Sequence, residues 1–134
     1  MAKITSVLAA ANLGKVVDVG NFTVTKSIAI PAGTANGDSI QVFTVPVGLR
    51  LVDCHLGQPA TIGAAATAKL QKNALNADSR TDLTGATTAA GADYERMSVG
   101  PQNLAATDVI EILIGGGNPT AATVLTVDLV LTRL

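Results

Sequence analysis

The sequence predicts an all-β fold, an antiparallel β-sandwich of jelly-roll-like kind with an N-terminal arm. Three observations predict it. Apolar residues recur at every second position in several short runs, the period of a half-buried strand. Gly, Pro and Asn punctuate those runs at spacings of roughly 8–20 residues, which suits a two-sheet fold. No stretch is a convincing long helix. The 134 residues make one domain, divided into an arm over 1–21 and a sandwich over 22–134.

The chain is organised around residues 39–57, SIQVFTVPVGLRLVDCHLG. Two apolar runs flank Val45-Pro46-Val47-Gly48. Pro46 cannot donate to a strand ladder and Gly48 can turn the chain, so the stretch reads as strand, corner, strand. Ile30-Pro31-Ala32-Gly33 has the same form and marks a second corner.

In order, 1–21 is the least regular part. Residues 6–13 can form two helical turns, with Ser6 as N-cap and Gly14 past the end, and 15–19 a short strand. A helix that short needs a surface to lie on. Residues 22–30 alternate, with Phe22, Val24, Ile28 and Ile30 on one face and Lys26 the exception. Asn36-Gly37 then signals a hairpin within 31–38. Over 49–56, Val52, Cys54 and Leu56 share one face and Leu49, Leu51, Asp53 and His55 the other. Apolar residues on both faces mark a central strand.

Residues 65–72 set Ala66, Ala68 and Leu70 against Thr67, Lys69 and Gln71. Residues 73–93, rich in Asn, Asp, Thr, Ala and Gly, read as a long surface loop with a short strand near Leu83. A short strand over 94–99 is broken by Pro101-Gln102-Asn103. Ile110, Ile112 and Ile114 make one core face; Leu125, Val127, Leu129 and Leu131 make another. The Gly115-Gly116-Gly117-Asn118-Pro119 turn between them predicts an antiparallel hairpin.

Composition excludes several functions. Nine basic residues lie singly in a chain of net charge −1, which gives no basic stripe for nucleic acid. No apolar run approaches the roughly 18 residues of a membrane span. Residues 7–13 lack the length and cleavage site of a signal peptide. One cysteine, Cys54, forms no internal disulfide, which suits maturation in a reducing compartment. Only 14% of residues are charged against an average of about 25%, so the surface is built of Thr, Ser, Asn, Gln, Gly and Ala. Such a surface does little to discourage association and points to one that is largely covered in the working state.

No catalytic, cofactor or metal residues emerge. His55, the only histidine, shares a strand face with Asp53, but no Gly-x-Ser-x-Gly elbow supplies a nucleophile. His55 and Cys54 point to opposite faces and cannot share a zinc. Asn76, Asp78 and Asp82 lack the EF-hand pattern and read as turn formers. No Gly-Lys-Ser/Thr follows Gly115–Gly117, so that run is a turn and not a phosphate loop. The sequon Asn21-Phe22-Thr23 carries no weight without a secretory signal. With no Trp, one Tyr and two strand-bound Phe, the chain is poor in sugar-stacking rings. An exposed Tyr94 beside a groove in the loop over 73–93 would favour the alternative of a receptor- or glycan-binding module of a viral fibre or bacterial adhesin.

Four stretches carry a resemblance: Ile30-Pro31-Ala32-Gly33, Val45-Pro-Val-Gly-Leu-Arg-Leu-Val-Asp53, Ala66-Thr-Ala-Lys-Leu-Gln71 and the run from Ala122 to Leu131. Over most of its length the chain resembles the small capsid decoration, or cement, proteins of tailed bacteriophages. The resemblance implies a non-enzymatic virion protein on the capsid surface, assembled in the host bacterial cytoplasm. It implies the major capsid protein as partner, and a homo-oligomer, often a trimer, that clamps neighbouring capsid subunits. It carries no catalytic residues and no cofactor.

Overall fold

The computed structural model describes residues 20–74 and 79–134. The expected arm helix over 6–13 and the strand over 15–19 lie outside the described residues, as do Asn76 and Asp78.

Among the described residues are nine strands: β1 (Phe22–Ala29), β2 (Ser39–Thr44), β3 (Leu49–Gln58), β4 (Thr67–Ala74), β5 (Ser79–Asp82), β6 (Asp93–Arg96), β7 (Gln102–Leu104), β8 (Val109–Gly115) and β9 (Val124–Arg133). All named pairings are antiparallel. One sheet runs β1-β9-β3-β6, with β7 also on β3; the other runs β2-β8-β4-β5. This is the two-sheet, jelly-roll-like sandwich that the alternating runs predict.

The core lies between the sheets. Ile110, Ile112 and Ile114 from β8 meet Leu125, Val127, Leu129 and Leu131 from β9, and all seven are buried. Alternation placed each of these correctly, because strand side chains change face at every residue.

The pairing of those two runs differs from expectation. β8 hydrogen-bonds β2 and β4, while β9 hydrogen-bonds β1 and β3, so the segment after Gly115 crosses from one sheet to the other. The Asn36-Gly37 segment likewise joins β1 and β2 across the sandwich. The crossing after β8 is anchored: the Thr120 and Ala121 N–H groups donate to Ile62 O at 2.9 and 3.1 Å, and Thr123 Oγ1 donates to Thr61 O at 2.8 Å. Gly116, at φ +77°, packs so closely that a Cβ there would lie 2.3 Å from Ala65 O. The turn therefore needs glycine for close approach as well as for its backbone.

β3 is central, between β9 on one side and β6 and β7 on the other. Its faces divide differently from the expected alternation. A bulge at Val52 shifts register between Leu51 and Asp53. Leu49 and Leu51 are buried before it, and Cys54, Leu56 and Gln58 after it. The extra residue puts both apolar sets on the core face and leaves Asp53, His55 and Gly57 on the outer one.

Residues 83–88 correct the expected long surface loop. Leu83, Thr84 and Thr87 are buried. The Leu83 and Thr87 N–H groups donate to Leu70 O and Ala68 O at 2.9 and 2.8 Å. Thr84 Oγ1 and Thr87 Oγ1 accept from the Leu70 and Ala68 N–H groups at 3.1 and 3.0 Å. Threonine hydroxyls thus replace ladder partners along the edge of β4. The expected strand near Leu83 falls at 79–82, and Gln102–Leu104, expected as a break, is a strand.

Candidate functional surface

Among the described residues no group of three or more His, Cys, Asp and Glu could hold a metal ion. Cys54 is fully buried, and burial followed by the Asp53 charge pushes its thiol up to about 12. It stays protonated and is a poor nucleophile.

His55 and Asp53 do share the outer face of β3, with Nε2 and Oδ2 3.3 Å apart. No serine hydroxyl hydrogen-bonds His55 among the described residues; its other neighbour is Tyr94, stacked at 5.3 Å between ring centroids and 27° between planes. The Asp53–His55 pair is thus part of a polar sheet face.

Strand register arranges that face in rows. Arg96, His55, Asp128 and Thr25 stand opposite one another across β6, β3, β9 and β1. Beside them run Tyr94, Gly57, Thr126 and Ser27. Tyr94 is 52% exposed, the second most exposed large apolar side chain among the described residues. Its ring leans over the glycine: a Cβ at Gly57 would sit 3.7 Å from Tyr94 Cδ1. Arg96 Cζ lies 5.9 Å from the ring centroid. Thr25 Oγ1 donates to Asp128 Oδ1 at 2.9 Å. The ring is exposed, which is one half of the condition set for a ligand-binding module; the other half, a groove in the loop over 73–93, is not among the features described. Both phenylalanines pack against the core as expected.

Two polar groupings escaped sequence reasoning. On the outer face of the four-stranded sheet, Glu111 is buried between buried Val109 and half-buried Leu113. It accepts from Gln71 Nε2, from Arg80 Nε at 3.1 Å and from Asn73 Nδ2 at 3.4 Å. This cluster spans β4, β5 and β8, so no local motif announces it. The second is on β6. Hydrogen bonds from the Thr88 N–H, the Glu95 carboxyl and the Tyr94 N–H hold Asp93 below the usual carboxylate range. The Asp93 hydrogen bond, then burial and the Asp93 charge, push Glu95 above it. The Asp-x-Glu spacing, which sets both carboxyls on one strand side, was the available signal.

No protein-family model matches the chain, and no curated protein matches it. Solved structures do. The chain is similar to one in the capsid asymmetric unit of cyanophage Pam1, with TM-score 0.59, 15% identity and 86% of each chain covered. It is similar to one in the capsid of Ralstonia phage GP4, with TM-score 0.62, 19% identity, and 85% of this chain and 84% of that one covered. At such identities the likeness is one of fold: both phage capsids contain a sandwich of this architecture.

Proposed function

We propose that this chain is a structural, non-enzymatic virion protein that binds the outside of a phage capsid and stabilises it by clamping neighbouring major capsid subunits. One observation carries the reading. The two capsid chains of like fold overlap this one over nearly equal shares of both partners, so they are chains of about this length. A sandwich this small suits an accessory subunit better than the building block of a shell. The weakly charged, Ala- and Thr-rich surface supports a molecule that works mostly as interface. Residues 1–21 act as the arm, and the chain works as a homo-oligomer, a trimer in the favoured form.

The test uses native virions. Mass spectrometry should find the chain on purified particles, and cryo-electron microscopy should place it outside the shell where major capsid subunits meet. A chain starting at Gly20 should keep its β signature and bind particles much more weakly. Particles without the chain, or with it enclosed inside the shell, would sink the reading.

A further inference from the structure

We propose that the outer face of the five-stranded sheet holds a shallow saccharide site. Tyr94 is its stacking platform, and Asp128, Thr126 and Ser27 are its partners for sugar hydroxyls. Register puts these groups together: Tyr94, Gly57, Thr126 and Ser27 form one row, and Asp128 stands in the next. Gly57, Thr126 and Ser27 are small, so they continue the row of Tyr94 as a low strip alongside the taller row of His55 and Asp128.

The ring is held before any ligand arrives. It leans over Gly57, which lacks a side chain to lift it, and it stacks on His55. Little freedom is left to lose on binding, and half of its surface faces solvent. The C–H face of a pyranose packs well on such a surface, as other apolar surfaces do. Beside it, Asp128 Oδ1 is engaged by Thr25 while no described donor reaches Oδ2. The Thr126 and Ser27 side chains are exposed. Acceptors and hydroxyls laid out across the neighbouring strands from one flat ring suit a polyhydroxylated ligand longer than a single sugar.

Charge narrows the class. Arg96 and Asp128 flank His55 in one row, with Asp53 further along β3, so the face carries both signs and no dominant field. A phosphate backbone or an anionic lipid surface would want a cationic patch. A neutral oligosaccharide does not. The ligand lies across the strands on an open face, so the site takes an accessible stretch of a longer glycan.

The inference rests on the sheet face and is independent of the virion reading. The test titrates the full chain, labelled with nitrogen-15, with chitotetraose, maltohexaose and cellohexaose up to about 10 mM, a range suited to weak sites. At least one should shift the amide signals of Tyr94, Gly57, Thr126 and Asp128 together. Tyr94→Ala should weaken that binding by about tenfold or more, whereas Tyr94→Phe should stay within about threefold, since it keeps the ring. Asp128→Asn provides a second variant if Tyr94→Ala misfolds. Absence of shifts with all three sugars overturns the site, as do shifts elsewhere or undiminished binding by Tyr94→Ala. Virion binding by the same variants is measured in parallel. If it fails for Tyr94→Ala and no sugar binds, the face is a protein contact and the saccharide site is wrong.

Discussion

Thr87 Oγ1 donates to Gln58 Oε1 at 2.7 Å, and that buried hydrogen bond ties the two sheets together. Gln58 ends β3 in one sheet, and Thr87 is bonded to Ala68 of β4 in the other. The Gln58 amide nitrogen is committed as well, donating to Thr88 O and Gly91 O at 2.9 and 2.6 Å. The side chain therefore cannot flip to compensate if its partner goes.

Thr87→Val keeps the shape and removes the hydroxyl. It strands Gln58 Oε1 and the Ala68 N–H in the interior. We expect a loss of about 2–6 kcal/mol, since each of the two buried unsatisfied groups costs about 1–3 kcal/mol. Urea unfolding should show a lower midpoint at unchanged slope. An unchanged midpoint would mean that water enters the junction.

Ile112→Ala should cost about 2–5 kcal/mol, because the residue is fully buried between the sheets and its loss leaves a cavity. Denaturant unfolding at the parental midpoint would contradict the strand phase on which the core assignment rests.

Thr107 holds φ +78°, a conformation that a β-branched side chain resists. It is kept there by reciprocal bonds across the corner, Thr107 N–H to Val45 O and Val45 N–H to Asp108 O, both 2.8 Å. Strain of this kind costs about 1–3 kcal/mol, against roughly 0.5–1 kcal/mol for the extra freedom of an unfolded glycine. Thr107→Gly should therefore raise stability by about 1 kcal/mol, read as a higher melting temperature. A fall would show that the corner is not strained.

Glu95→Gln tests the carboxyl pair on β6. Asp93, held low, contributes stability above its unfolded value that is lost as pH falls through the lower folded value. Glu95, held high, contributes the opposite way: its share is full below its unfolded value and is lost as pH rises through the folded one. Above the raised Glu95 value both are ionised and repel. The substitution should raise the melting temperature there, and only slightly, because the pair is solvated and water screens the repulsion. The gain should vanish as pH falls through the raised Glu95 value, where the parent carboxyl takes up a proton. A pH-independent effect would mean that the two carboxyls do not interact.

Much of this molecule was legible in its residues. Alternation identified the core faces of β1, β4, β8 and β9, because a strand's side-chain period is a local property of the backbone. Val45-Pro46-Val47-Gly48 marked a corner because proline and glycine act on their own dihedral angles. The isolation of His55 and Cys54 on opposite faces of β3 also followed from alternation, and the Val52 bulge, which precedes both, did not disturb it.

The sheet partners were not legible. β8 and β9 carry the same apolar pattern whether they pair with each other or face each other across the core, since alternation specifies which side is buried and not which neighbour supplies the hydrogen bonds. The tertiary structure decided that, through Ile62 holding the crossing segment and Ala65 closing on Gly116. It also turned Thr84 and Thr87 from loop residues into edge partners of β4 and buried Glu111 under Arg80, Gln71 and Asn73. Tyr94 reached the outer face opposite Gly57 by the same means. Each of these depends on groups distant in the chain meeting at hydrogen-bond range, and a one-dimensional pattern holds no distance between them.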